Sequence, residues 1–280
     1  MKNILLPTDF SDNSWNAIEY ALNFYENTVC NFHILHVSKI NHLITHEASY
    51  IASKEIIDEV FIKPAKEQLE QLLKRIVDEQ TNNKNHKFYT LTDYNLFIDS
   101  IRKYIKEKDI DMIVMGTKGA SGLQKYIIGS NTGDVITKVQ CTTLVIPENA
   151  KYTTLKEVAF PTDFVLSYDI RTLQPISETL EEEGASLRIV HISKEGTLLN
   201  IDQQNNKGLL EDLFHNYNYS FHTLTNKKVE DAVQCFVESR DIDMIAMVAK
   251  NLNYFQQILF HSKVEKISYH TNVPFLVLHE

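Results

Sequence analysis

A chain of 280 residues is long for one compact domain and comfortable for two of roughly 140. With 43% hydrophobic and 23% charged residues it is neither disordered nor collagen-like, and a formal net charge of −9 argues against nucleic acid as partner, because phosphate backbone is held by Lys and Arg. Three scattered cysteines (Cys30, Cys141, Cys235) without CxxC spacing, an opening too short for a signal peptide and no apolar run near the ~18 residues of a membrane helix predict a reduced, cytoplasmic protein with no membrane partner.

In chain order, short aliphatic and β-branched runs predict strands over 3–7, 32–37, 87–91, 112–115 and 142–146. Between them, Ala17, Ile18, Ala21, Leu22 and Tyr25 recur at helical spacing behind Ser11, a suitable N-cap. Ile57, Val60, Phe61, Leu69, Leu72 and Leu73 outline a second helix, and Phe97, Ile98, Ile101 and Ile105 a third. The same order then starts again, with strands expected over 158–161, 187–192, 220–224, 244–247 and 275–278. Pro175 predicts a kink or a late start in the first helix of this second series, and Pro274 opens its last strand, where a missing N–H is tolerated.

The restart is a duplication. Leu6-Pro7-Thr8-Asp9-Phe10 returns 154 residues later as Phe160-Pro161-Thr162-Asp163-Phe164, and Ile34-Leu35-His36-Val37-Ser38 returns 155 residues later as Ile189-Val190-His191-Ile192-Ser193. Asp109-Ile110-Asp111-Met112-Ile113 returns 132 residues later as Asp241-Ile242-Asp243-Met244-Ile245. The order holds and the offset drifts only through an insertion in the first copy over roughly 40–60, so two domains are expected, 1–148 and 152–280, joined by a polar stretch after Pro147. Strands alternating with helices predict a doubly wound, five-stranded parallel sheet in each domain, with ligands bound where strand order reverses, at the loops after the first and fourth strands.

The loop after the fourth strand is unusual. Four of the chain's eight glycines, Gly116, Gly119, Gly122 and Gly129, fall within the seventeen residues 116–132, which end on Ser130, Asn131 and Thr132 at a helix start. Glycine permits positive φ and close approach of backbone to a ligand, and free N–H groups at a helix start favour anions. Glycine enrichment alone fits a pair of tight turns as well as it fits phosphate binding. The spacing G-x(2)-G-x(9)-G-S on Gly116, Gly119, Gly129 and Ser130 is neither the Walker A nor the Rossmann pattern. It resembles the ATP-binding signature of the universal stress protein family, and the resemblance extends over nearly the whole chain.

That resemblance implies the adenine nucleotide alpha hydrolase-like fold and ATP, with or without Mg2+, as ligand. It implies that Asp9 meets the ribose or adenine side with Pro7 and Thr8 shaping the same loop, that Val37 meets adenine through its backbone, that Met115, Gly116 and Gly119 wall the ribose and phosphates, and that Gly129, Ser130, Asn131 and Thr132 hold the phosphates. It also implies that the last strands, 142–146 and 275–278, pair the copies into an internal pseudo-dimer, with homo-dimerisation a further option. Lys118 is either a phosphate partner or an exposed loop lysine.

The second copy departs from this pattern: Gly116 becomes Val248, Gly119 Asn251, Gly122 Tyr254 and Gly129 His261, with only Ser130 retained in type as Ser262. No ATP is expected there, and Asp163 is left with a capping role. His42 and His46, four apart in the insertion, lack a third metal ligand nearby and read as exposed histidines. His36 and His191, at equivalent strand ends, read as a repeated packing feature, and Glu181, Glu182 and Glu183 as the solvated end of a helix. The function expected is an ATP-binding regulatory protein of the stress response; a nucleotide-independent scaffold and a slow ATPase are the alternatives, since no residue can be named as the base or water-positioning group that phosphoryl transfer requires.

Overall fold

The computed structural model describes residues 1–39, 54–79, 83–117, 130–165, 169–193, 198–226, 228–249 and 272–279. Its first half runs β1 (Lys2–Pro7), α1 (Asp12–Phe24), β2 (Cys30–Lys39), α2 (Lys54–Ile57), a π-helical turn (Asp58–Ile62), α3 (Lys63–Glu79), β3 (His86–Asn95), α4 (Phe97–Glu107), β4 (Met112–Gly116), α5 (Ser130–Lys138) and β5 (Thr143–Ile146). The second runs β6 (Glu157–Thr162), α6 (Ile170–Glu183), β7 (Ser186–Ser193), α7 (Ile201–Phe214), β8 (Tyr219–Thr225), α8 (Val229–Ser239), β9 (Met244–Val248) and β10 (Phe275–Leu278).

Among the described residues ten strands form one sheet in the order β3-β2-β1-β4-β5-β10-β9-β6-β7-β8. Each half is parallel within itself, and the halves meet where β10 pairs antiparallel with β5, Phe275 opposite Val145 and Val277 opposite Thr143. The order reads the same from either end, so strand direction inverts at the centre and the carboxyl ends of the two halves lie on opposite edges of the sheet. In each half the strand order reverses between the first and fourth strands, β1 and β4 or β6 and β9.

Helices cover both faces, which explains why the central strands are apolar without alternation: Ile4, Leu5 and Leu6 are all fully buried. Each such side chain contributes about 1.5–3 kcal/mol of burial free energy. On one face α1, α3, α6 and α7 enclose a single core that runs from Ile4 and Ile18 through Ala150 and Leu155 to Leu173 and Phe214. On the other, Ile136 of α5 and Val145 of β5 pack with α8 and β10. The halves therefore share apolar surface on both faces.

Three local features refine the sequence expectation. The apolar series from Ile57 to Leu73 lies on one unbroken helical run with a widened turn inside it: Lys63 N–H donates to Asp58 O just before Pro64, which has no N–H to offer the carbonyl one α-helical turn back. The helix containing Pro175 starts late, at Ile170 behind the cap Asp169, and runs through the proline. The acidic run 181–183 ends α6 with Glu181 and Glu182 exposed, as expected, and it is also bonded to the chain around it. Glu182 and Glu178 pair with Lys2 of β1 at 3.2 and 3.1 Å, Glu183 accepts from Tyr152 Oη at 3.0 Å and from Leu155 N–H at 2.9 Å, and Glu181 accepts from Tyr217 Oη at 2.6 Å. These partners lie on three other segments of the chain, and of them only Lys2 belongs to the first half.

Candidate functional site

The crevice at the carboxyl ends of β1 and β4 is built by a turn that the sequence repeats. Thr8 is buried; its N–H donates to Leu35 O at 2.8 Å, and its Oγ1 accepts the N–H of Phe10 at 3.0 Å. This bond holds Phe10 at φ 64°, a left-handed conformation that costs a bulky residue on the order of 1–3 kcal/mol and persists only when the surroundings over-determine it. The surroundings do so: the Phe10 ring stacks on His36 at 4.5 Å, and His36 Nδ1 lies 2.9 Å from Thr8 O. A carbonyl only accepts, so that ring nitrogen carries the proton. The second half reproduces every part, with Phe164 at φ 56°, Phe164 N–H on Thr162 Oγ1 at 3.0 Å, a Phe164–His191 stack at 5.1 Å and His191 Nδ1 3.1 Å from Thr162 O. His36 and His191 thus pack and pin the turn, and the paired Phe, which sequence reasoning passed over, is legible in the repeat once its φ is known.

Asp9 stands exposed on this turn and accepts from Ser11 N–H at 3.2 Å and Ser11 Oγ at 2.6 Å. Ser11 in turn caps α1 through Ser14 N–H, worth about 1 kcal/mol. Pro7 is buried at the end of β1, opposite Leu35. Beyond that point β2 continues to Lys39 against β3 only. In a parallel ladder the backbone groups of alternate residues face the same neighbour, so the alternation that aims Leu35 O at Thr8 N–H aims the N–H and C=O of Val37 to the β1 side, past the end of β1. This is the edge a planar ring with its own donors and acceptors can read.

Met115 is buried beneath the crevice, and Gly116 ends β4. A Cβ on Gly116 would stand 2.5 Å from Asn13 Nδ2 and 3.0 Å from Asn13 O, so the absence of a side chain lets the first turn of α1 lie against β4. The glycine that the sequence assigns to a ligand wall has a packing duty of its own. At the start of α5, Ser130 is exposed and Asn131 half-buried, while Thr132 is buried and its Oγ1 donates to Gly116 O at 2.7 Å. That bond ties the helix start to the strand end and leaves Ser130, Asn131 and first-turn N–H groups facing outward. Gly119, Gly129, Lys118 and Gly122 lie outside the described residues, as do His42, His46 and 40–53 of the insertion.

The equivalent place in the second half is built differently. Val248 stands where Gly116 does and is buried. The helix that follows begins late: α6 starts at Ile170, seven residues after Asp163, whereas α1 starts three residues after Asp9. Asp163 accepts from Val165 N–H at 3.0 Å, so it closes a turn and does not cap the helix, a task that falls to Asp169 through Arg171 N–H. From α7, Gln203 Nε2 donates to Asp163 O at 2.8 Å and Asn206 Nδ2 to Phe164 O at 2.8 Å, the former fixed by a capping box with Asn200. Asn251, Tyr254, His261 and Ser262 lie outside the described residues. No helix among the described residues is long and apolar enough to cross a membrane, and none of their His, Cys, Asp and Glu side chains form a group of three able to hold a metal.

A family model described as the universal stress protein family matches residues 1–147. A universal stress protein of Methanocaldococcus jannaschii is 29% identical over 150 residues, 54% of this chain and 84% of that protein. One from Bacillus subtilis is 27% identical over 145 residues, 51% of this chain and 97% of that protein. The crystal structure of a universal stress protein from Archaeoglobus fulgidus superposes with a TM-score of 0.70 at 20% identity, over 98% of this chain and 97% of that one, which shows the fold through both halves.

Proposed function

This chain belongs to the universal stress protein family, and on that premise we propose that it is an ATP-binding regulatory protein of the stress response whose first domain, 1–148, carries the nucleotide while its second, 152–280, does not. The observation that supports this reading is that Asp9 and Ser130 are exposed beside the first switch point and β2 runs past the end of β1 at Val37, whereas at the second Val248 replaces the glycine and α7 side chains bond the turn. The donor set fits a nucleotide. A carboxylate at Asp9 suits ribose hydroxyls, backbone N–H and C=O at Val37 suit an adenine edge, and the Ser130 hydroxyl with N–H donors of Ser130, Asn131 and Thr132 suits phosphate oxygens, the Thr132 hydroxyl being taken by Gly116 O. Pro7 and Thr8 shape the loop, Met115, Gly116 and Gly119 line it, and Gly129 supplies the close approach to phosphate.

ATP at this place bears on both α1 and α5, and α5 reaches the second half through Ile136. A ligand that binds only the folded state adds RT ln(1 + [L]/Kd), about 2.7 kcal/mol at a hundredfold excess, enough to set the state a partner reads. A scaffold that needs no nucleotide is the second reading, favoured by the structural duties of Gly116 and Thr132. A cytoplasmic location suits either. The deciding experiment is calorimetric titration of nucleotide-stripped protein with Mg-ATP, in wild type and in Gly129→Val. Saturable heat at one equivalent, lost in a variant that still folds, is expected; absence of heat across a range of temperatures, with no nucleotide released on denaturation, favours the scaffold. Turnover above about 1 s⁻¹ would make the protein a dedicated enzyme instead.

A further inference from the structure

A second concave site lies at the opposite edge of the sheet from the crevice of β1 and β4. Because β10 runs antiparallel to β5, its carboxyl end meets the amino end of β5, and His279 there closes a cavity of ≈ 660 Å3 against the last turns of α4 and α5. That volume suits a small ligand. Arg102, Lys106 and Lys138 line it with Thr137, Gln140 and His279, over an apolar floor that includes Val139.

The chemistry of this lining is cationic in a chain of net charge −9. Arg102 Nη2 donates to Lys138 O at 2.6 Å, which covers a carbonyl at the negative end of α5 and fixes the guanidinium; Asp99 stands 3.9 Å from its Nη1. Lys138 pairs with Asp134 at 2.7 Å. Lys106 is joined to no carboxylate among the described residues. Among the described residues His279 Nε2 is buried and makes no hydrogen bond, which is unfavourable for a buried polar atom unless a ligand completes it. The fold alone does not require these groups. At the pseudo-symmetric place in the second half, Arg102 is replaced by Gln234, Lys106 by Glu238 and His279 by Pro147, and Gln234 simply donates to Glu238.

We infer that this seam cavity is a binding site for a small phosphate-bearing anion, held by Arg102, Lys106 and Lys138 with a hydrogen bond to His279. Such a ligand would touch α4 and α5 from the first half and the end of β10 from the second, and so would favour the state in which the halves are joined. The inference is independent of the nucleotide reading, since its residues lie on the other edge of the sheet.

The test is titration of the full chain with sodium pyrophosphate at constant ionic strength, read from the histidine ring resonances in nitrogen-edited NMR spectra, with His279 identified by the signal lost in His279→Asn. A saturable shift of the His279 ring is expected, weakened at least tenfold in Lys106→Glu, which copies the second half and disturbs no ion pair, and in Arg102→Gln. A His279 signal that stays still up to about 10 mM, a range that covers weak specific binding, would overturn the proposal. So would a shift that is equal in Lys106→Glu, or one reproduced by sodium chloride.

Discussion

The two switch-point crevices start from the same turn and end as different objects. After β1 and after β6 the same Thr-Asp-Phe turn is pinned by the same His. In the first half a glycine at the end of β4 lets the first turn of α1 come in against the strand, and the polar groups of Asp9 and α5 are left on the outside. In the second a valine occupies the strand end, the helix starts later, and side chains from α7 take up the carbonyls of the turn. Loss of a glycine, delay of a helix and gain of a clamp are thus one correlated change, and the fold tolerates it because the shared turn carries the local architecture by itself.

The comparison breaks most sharply if the two strand ends are exchanged. Gly116→Val forces a side chain into Asn13, and overpacking of this kind destabilises by about 2–3 kcal/mol, visible as a lower urea midpoint. Unchanged stability would show that α1 does not depend on the glycine. Acid separates the two carboxyl ends at the seam, since His279 faces Pro147 across the pseudo-symmetry. Burial lowers the His279 imidazole to about 4, against 6.5 ordinarily. The unfolded chain therefore binds the additional proton between these values, so stability is complete above about pH 6.5 and falls by roughly 3 kcal/mol as pH drops toward 4. His279→Asn should flatten that part of the profile in chemical denaturation; an unaltered slope would place the acid sensitivity elsewhere.

A smaller effect sharpens the comparison at the clamp. Gln203→Ala removes the donor to Asp163 O and one half of the capping box, for about 1 kcal/mol, and should raise amide exchange around Phe164 while leaving Phe10 untouched. The smallest concerns the pairing of β1 with α6. Burial would lower the Lys2 ammonium, but Glu182 and Glu178 outweigh it and raise its pKa above the ordinary 10.5. The pairing is therefore fully present below that pH and lost as pH rises through the higher folded value. Lys2→Met should cost no more than about 1 kcal/mol at neutral pH and should remove the alkaline dependence.

What the sequence discloses here follows the range of the interactions involved. Strands that need burial on both faces announce themselves as unbroken apolar runs, as 3–7 and 244–247 do, and Ser11 is readable as a cap because its bond to Ser14 is local. Pro175 does not mark the start of α6, since it is the sixth residue of a helix that begins at Ile170 behind Asp169. Glu183 gave no local signal, since Tyr152 and Leu155 stand about thirty residues from it in the chain and meet it only through the tertiary fold. The same holds for Gly116, whose neighbour Asn13 is about a hundred residues away in the chain, and for the seam cavity, whose cations and histidine come from helices and a strand that only the antiparallel junction brings together. Of the candidate nucleotide site, the turn and the outward groups follow from motif spacing; the inward bond of Thr132 to Gly116 O does not.

The central claim is that the asymmetry of the crevices is an asymmetry of binding, and native mass spectrometry of the stripped chain in excess ATP tests it most directly. The account predicts a single added nucleotide per chain, retained in Val248→Gly and absent in Gly129→Val. Two nucleotides per chain, or one that survives Gly129→Val, would contradict it.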